Sequence, residues 1–283
     1  MKKILILGSE GQIGSHLKIF LKKKNYTVFS FDLKNSKKED LRINCNSKLI
    51  KLVNKSDFIY FLAFDVGGSR YLKKYQNTFN FISNNIKLMS NTFEILKKSR
   101  KKFLFASSQM SNMSYSNYGI LKNIGEKYTQ TLGGIVVKFW NVYGIEKDLS
   151  KSHVITDFVL KGIKNKKIEM LTNGEEVRDF LYAEDCCTGL ETIMNNYNIL
   201  IKKNKSLDLT TGKYTSIMYV ANLIQKILKE QNINIKIRPS KNKDIVQQNK
   251  KNKPDKYFLK YWKPKYSLES GIRNIIKFYI NQN

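Results

Sequence analysis

At 283 residues the chain is long enough to bury a sizeable core, in one large domain with a smaller companion. Its 51 Lys and Arg against 23 Asp and Glu give a formal charge of +28, yet the basic residues are scattered among Asn and Ile, which argues against a nucleic-acid footprint or a membrane surface. Three cysteines without metal-ligand spacing and the lack of any run of about 18 apolar residues argue against a disulfide framework, a metal site and a spanning helix, so the expectation is a soluble cytoplasmic protein without a signal peptide.

Residues 2–7, KKILIL, predict a strand. They lead into Gly8-Ser9-Glu10-Gly11-Gln12-Ile13-Gly14 and then a helical pattern through Leu17, Ile19, Phe20 and Leu21. Glycines in such a turn let the backbone approach a pyrophosphate, whose charge is favoured by the free amides and positive end of the following helix. A second strand, YTVFSFD, ends at Asp32, close to the spacing at which a carboxylate can accept the adenosine ribose hydroxyls. Asp32 argues for NAD, because its charge repels the extra phosphate of NADP; Lys34, Lys37 and Lys38 lie just beyond it and could hold that phosphate. Strand-like runs recur at 57–63, 102–106 and 135–139, with helix-length segments between them. The expected fold is therefore α/β, a doubly wound parallel sheet of the Rossmann type. Residues 1–150 would form the cofactor domain, with a return segment near 180–192, and 151–283 mainly a smaller substrate lobe.

Tyr-x-x-x-Lys occurs three times, at Tyr118 with Lys122, Tyr143 with Lys147, and Tyr261 with Lys265. Only the first follows a strand, KFLFA, that delivers Ser107 and Ser108 to the carboxyl edge where ligands of such sheets bind. Tyr118 and Lys122 lie one helical turn apart on one face. Removing a proton from a sugar hydroxyl while hydride leaves its carbon requires a base, and a neighbouring ammonium lowers a tyrosine's pKa toward that role while a serine hydroxyl holds the substrate oxygen. Ser108, Tyr118 and Lys122 are the candidate catalytic group.

These residues resemble the extended short-chain dehydrogenase/reductases that act on nucleotide sugars. Asp40-Leu41 resembles that family's adenine-contacting turn, Leu62-Ala63-Phe64 its Leu-Ala-Ala segment, and Asn84-Asn85 with Asn91 and Glu94 its asparagine-rich helix. KFWNVYG is similar to its Arg-x-x-Asn-Val-Tyr-Gly, with Lys138 in place of arginine, and VRDFLYAEDC and WKPKYSLESGI resemble later segments. The resemblance implies NAD bound by Gly8, Gly11, Gln12, Ile13, Gly14, Asp32, Asp40, Leu41, Leu62 and Ala63 together with Tyr118 and Lys122. It implies a substrate contact from Asn141 and a diphosphate contact from Arg178, whose other reading is an ion pair with Asp179 or Glu176; Asp185 is read as structural.

Gln109 and Met110 stand where the similar 4,6-dehydratases carry Asp-Glu, and neither can do acid/base work. They are placed with Ser108 in the substrate pocket. LAFDVGGSRY resembles a segment of the GDP-mannose 3,5-epimerases, which brings Gly67, Gly68, Ser69 and Arg70 to the substrate, with the glycines letting a sugar approach the backbone. The implied reaction is oxidation at C4 of a nucleotide diphosphate sugar, favoured as GDP-linked manno-hexose or heptose, giving a 4-keto sugar or its 4-epimer in surface polysaccharide synthesis. The alternatives are an NADP-dependent reductase of a 4-keto nucleotide sugar and a non-catalytic nicotinamide sensor. The helical segments 78–98 and 117–132 resemble the pair through which the family dimerises, so a homodimer or homotetramer is expected, without a metal.

Overall fold

The strand, glycine turn and helix expected at the start are formed by β1 (Lys3–Leu7) and α1 (Gln12–Lys23) in a computed structural model that describes residues 1–203, 206–244 and 253–282. The other expected strands are β2 (Thr27–Phe31), β3 (Phe58–Phe61), β4 (Lys102–Ser108) and β5 (Ile135–Phe139). Between them run α2 (Ser47–Lys55), α3 (Ser69–Tyr75), α4 (Phe79–Ser99) and α5 (Asn117–Thr131). Parallel pairing orders the main sheet β2-β1-β3-β4-β5, and Leu7 aligns with both Phe31 and Phe61. All carboxyl ends therefore meet at one edge.

Strands β1, β3, β4 and β5 are apolar runs because both faces of the sheet are covered there, whereas the edge strand β2 is only partly buried. Ile4, Ile6, Tyr60, Leu104 and Val137 pack on one side with Leu17 and Leu21 of α1. Leu5, Leu7, Ile59, Phe61 and Phe105 pack on the other, against Leu49, Val53, Phe93 and Leu121 from α2, α4 and α5.

Beyond β5 the chain forms β6 (Asn141–Tyr143), α6 (Val154–Asn165), β7 (Lys167–Glu169), β8 (Val177–Tyr182), α7 (Ala183–Asn195) and the single turn α8 (Tyr197–Leu200). It continues with β9 (Leu207–Leu209), β10 (Tyr214–Ser216), α9 (Ile217–Glu230), β11 (Lys236–Arg238) and α10 (Leu268–Ile280). The expected return at 180–192 takes a different form. β8 lies in a separate sheet, ordered β10-β8-β6, so Phe180–Tyr182 does not join the main sheet. The helix α7 comes back instead, burying Cys186, Cys187, Leu190 and Ile193 in the core that α1 covers, and β9 extends the main sheet beside β5. The helix α7 carries one apolar face that the core takes up, whereas β8 already has a partner on each side in β6 and β10. A third core, from Ile155, Phe158, Val220, Ile224, Ile272 and Ile276 of α6, α9 and α10, builds the smaller lobe. No helix among the described residues is long and apolar enough to cross a membrane.

Asp208 of β9 is a buried carboxyl within this frame. Burial pushes its pKa up to about 6, against the Asp255 amide and Lys138, which favour the charged form. A raised carboxyl pKa means that the folded state holds the proton more tightly, so the cost is absent below the ordinary value and present above about 6. Asp208→Asn should thus raise the melting temperature at neutral pH, by an amount on the order of 2–3 kcal/mol of stability, and should do little in acid. Calorimetric scans at the two pH values check it.

Candidate active site

Gly8 follows β1 at a φ of +85°, and a Cβ there would stand 2.7 Å from the Ala63 backbone. The Gly11 amide donates to Gly8 O at 3.2 Å, and a Cβ on Gly14 would lie 2.0 Å from that same carbonyl. The turn and the start of α1 thus close at a distance that only glycine permits, leaving a cradle beside a helix N-terminus. Gln12 donates to Val142 O at 3.2 Å, and Ile13 packs onto the core under α1. At the end of β2, Asp32 accepts from the Glu10 amide through Oδ2 and from the Lys34 amide through Oδ1, both at 2.9 Å. Each oxygen keeps a further acceptor site, so these bonds orient the carboxylate for a ribose without exhausting it. The cradle and the acid fit NAD.

The neighbourhood differs in detail from the expectation. Lys34 is ion-paired with Asp148 at 2.9 Å, and Lys37 and Lys38 do not line the cavity, so the lysines beyond Asp32 form no phosphate cluster. Asp40 is committed to Arg42, whose amide, Nε and Nη2 reach it at 2.7–3.1 Å and hold its carboxyl below the usual range. The turn lies in the cavity wall, but this carboxylate serves the chain. Asn84 accepts from Arg42 and Asn91 donates to the carbonyls of Leu41 and Arg42, so the asparagines of α4 fix this loop. Glu39, which the sequence did not single out, is buried, accepts the Asp32 amide at 2.9 Å and pairs with Lys48 at 2.6 Å.

The cradle opens into a cavity of about 1320 Å³. Ser108, Tyr118 and Lys122 converge on its wall. Ser108 closes β4, and its hydroxyl accepts from the Met110 amide at 3.1 Å. The helix α5 is capped by Ser116, which accepts from the Gly119 amide at 3.2 Å. A Cβ on Gly119 would stand 2.3 Å from Met110 O, and one on Gly125 2.4 Å from the Phe105 ring. These two glycines let α5 press onto β4, which brings Tyr118 to Ser108.

Burial raises the Tyr118 phenol to about 12, opposed by its hydrogen bond with Ser108. Burial likewise lowers Lys122 to about 7, opposed by Glu126 one turn along. Desolvation thus sets the direction of both shifts. The Lys122 ammonium instead donates to Ala106 O at 2.6 Å. Neither rival tyrosine has such neighbours. Tyr143 donates to Leu268 O at 3.3 Å, with Lys147 turned to Glu10, and Tyr261 shares a bond with Tyr257 away from the cavity.

On the substrate side Gly67, Gly68, Ser69 and Arg70 line the cavity, but the glycines have a packing reason. A Cβ on Gly68 would meet Ser152 O at 2.3 Å, and one on Gly67 would meet Tyr71 at 2.8 Å. Chain packing, rather than the approach of a sugar, demands glycine there. Arg70 is held by Asp157 in a two-pronged bond of 2.9 and 3.0 Å. Arg178 also lines the cavity, yet its ion-pair partner is Asp244, and not Asp179 or Glu176. Asp179 is occupied by the amides of Thr211 and Gly212, and Glu176 by Thr172. Asn141, half-buried on β6, donates to Asp179 O at 3.3 Å, and Met110 faces the cavity whereas Gln109 is buried outside its lining. Asp185 accepts from the amides of Lys265 and Tyr266 at 2.9 Å, the structural role expected of it. No local pattern marked the buried Glu146 that binds the His153 ring at 2.6 Å, or the way Asp65 gathers Tyr71 and Lys151 at 2.6 and 2.9 Å.

Known proteins share this architecture. A putative UDP-glucose 4-epimerase of Methanocaldococcus jannaschii is 27% identical over 323 residues, covering 99% of each chain. The crystal structure of UDP-glucose 4-epimerase from Thermotoga maritima with UDP-glucose superposes with a TM-score of 0.79 at 20% identity, covering 99% of both chains. That of a GDP-6-OMe-4-keto-L-xylo-heptose reductase from C. jejuni gives 0.81 at 20% identity, covering 100% of this chain and 98% of that one. The sequence profile of the NAD dependent epimerase/dehydratase family matches residues 4–204, most of the chain and all of the cofactor and catalytic groups described above; the chain belongs to that family and is an enzyme that uses NAD.

Proposed function

We propose that the enzyme oxidises C4 of a nucleotide diphosphate sugar, releasing a 4-keto sugar or returning the hydride to give the 4-epimer. The observation that carries this reading is the hydrogen-bonded Ser108 and Tyr118 at the cavity wall with Lys122 behind them, followed by residues that offer no acid or base for loss of water. Bound NAD supplies the hydride acceptor. Ser108 holds the substrate hydroxyl, Tyr118 takes its proton, and Lys122 supplies the charge that a tyrosinate needs. A protonated Tyr118 is also the form that donates to a ketone oxygen, so reduction of a 4-keto sugar by the same group is the second reading.

We further assign the substrate to the GDP-linked manno-hexoses or heptoses, on the likeness of Asp65–Tyr71 to the corresponding segment of the GDP-mannose epimerases and on the fold shared with the C. jejuni heptose reductase. Arg178 is assigned to the diphosphate, exchanging Asp244 for it, since a guanidinium fork suits either partner. Residues 1–150 with the α7 return serve the cofactor, 151–283 mainly the sugar nucleotide, and the setting is cytoplasmic synthesis of a surface polysaccharide. Phe79 and Ile86 on α4 and Ile120, Ile124 and Tyr128 on α5 are exposed, which supports pairing of two copies across these helices. Light scattering should give at least a dimer.

Incubation with NAD and a panel of sugar nucleotides, followed by mass spectrometry, tests the reaction. The expected product has the substrate's mass or lacks two hydrogens; loss of water would overturn the assignment. Thermal shifts with GDP, UDP, dTDP and CDP test the base, because a ligand of the native state raises stability in step with its affinity. GDP should give the largest shift. A larger one with UDP would remove the base assignment and leave the C4 chemistry standing.

A further inference from the structure

The Lys122 ammonium has a carbonyl on one side and aromatic rings on others. Its Nζ donates to Ala106 O at 2.6 Å and stands 3.7 Å from the ring centroid of Phe64, 5.0 Å from that of Phe105 and 5.8 Å from that of Tyr118. An ammonium has three donors; the cofactor assigned to this wall can take one of the remaining two, and with the residue 3% exposed, bulk water is a poor partner for the other. The face of an aromatic ring, negative through its quadrupole, can take that place, and attraction acts within roughly 6 Å of the centroid. Phe64 is well inside this range. It enters from the segment after β3 and meets the Tyr118 ring edge to face at 5.7 Å, so it touches both members of the pair. Where the similar family segment ends Leu-Ala-Ala, this chain places a ring.

We propose that Phe64 is a positioning residue for the reaction, its ring face carrying the Lys122 ammonium and keeping that charge beside Tyr118. The proposal rests on the reading that Tyr118 and Lys122 are the acid/base pair. A ring so close acts in two opposite senses: as apolar bulk it excludes water and disfavours the charge, and as a π face it favours the charge. The proposal holds that the second prevails. Phe64→Leu keeps most of the bulk and removes the face, so the direction of its effect separates the two.

The other groups around Lys122 stay constant in that comparison. Tyr118 and Glu126 face it from α5, and β4 contributes the Ala106 carbonyl and Ser107, which donates to Glu126 at 2.5 Å. From β5, Lys138 reaches the group through Glu126, at 3.5 Å. After Phe64 comes Asp65, which is engaged by Tyr71 and Lys151.

The experiment is an NMR titration of the full chain carrying ¹³C-labelled lysine, with the Lys122 signal assigned by its loss in Lys122→Met. In the parent protein this signal should titrate far below the surface lysines. Phe64→Leu should lower its midpoint by roughly one pH unit, about a tenfold loss of the charged form, and Phe64→Tyr should restore it. The pH–rate profile of oxidation should move in the same direction. A midpoint that is unchanged or raised in Phe64→Leu would overturn the proposal, and Phe64→Met provides the same comparison if the leucine variant does not fold. If the midpoint falls while Tyr118→Phe retains full turnover, the contact stands and the catalytic reading beneath the proposal is overturned.

Discussion

Tyr118→Phe should slow sugar oxidation by about 10²- to 10⁴-fold while leaving sugar-nucleotide affinity nearly unchanged. The substitution removes one oxygen and leaves the ring that packs against Phe64 at 5.7 Å, so the loss falls on proton transfer rather than on the shape of the site. Ser108 keeps its bond from the Met110 amide, and the cradle at Gly8 and Gly14 is untouched. With the phenol raised to about 12 and the Lys122 ammonium lowered to about 7, the parent rate should rise with pH until Lys122 gives up its charge and level off above that, and this dependence should vanish in the variant. Tyr143→Phe is the control. Its hydroxyl bonds Leu268 O, so it should cost stability rather than turnover. Steady-state kinetics on both variants, with binding measured by calorimetry, checks the pair.

Lys122→Met should abolish the same activity and yet make the protein more stable near neutral pH. The folded state holds this lysine at about 7, far below its ordinary 10.5. A depressed lysine pKa means that the unfolded chain binds the proton more tightly, so the penalty is full below pH 7 and fades as the pH rises toward the ordinary value. Replacing the ammonium with a thioether of similar length removes that penalty and gives up the bond to Ala106 O, for a net gain on the order of 2–5 kcal/mol at neutral pH. Urea unfolding at neutral and alkaline pH checks the sign: the advantage should shrink as the pH rises. Stability sacrificed at a working residue is what function commonly demands of an active site.

Strands β1, β3, β4 and β5 were legible because each is an apolar run buried on both faces, a pattern that local sequence carries; the edge strand β2, TVFSF, is only partly buried and was placed by the acid that ends it. The glycine turn and Asp32 were legible because a cradle and an acid at a set spacing are local signals. Strands of three residues, β6, β7, β9, β10 and β11, have no such signal, since three residues cannot display a period. Their pairing is decided by partners far along the chain. For the same reason 180–192 was expected to rejoin the main sheet, whereas its strand pairs β6 and β10 and only its helix returns.

Within the site, residue types were readable and their partners were not. Arg178 and Asp244 are 66 residues apart, and Arg70 and Asp157 are 87 apart, so local patterning could not place either pair. Gly67 and Gly68 were noticed as glycines, but the cause of the second, Ser152 and His153 pressed against it, lies far along the chain. The burial of Tyr118 and Lys122, which raises the one and lowers the other, was not legible, because the sequence gives their spacing along a helix and says nothing of the rings that dehydrate both.

Hydride removal from C4 is followed by a deuterium placed there. GDP-mannose and UDP-glucose, each deuterated at C4, are incubated with the enzyme and NAD, and the cofactor and sugar are recovered for mass spectrometry and NMR. Deuterium should appear on the reduced cofactor when a ketone is released, or return to C4 of the sugar with the opposite configuration, with slower turnover than the unlabelled sugar in either case. Product formed at the unlabelled rate with the deuterium still at C4 in its original configuration would contradict it.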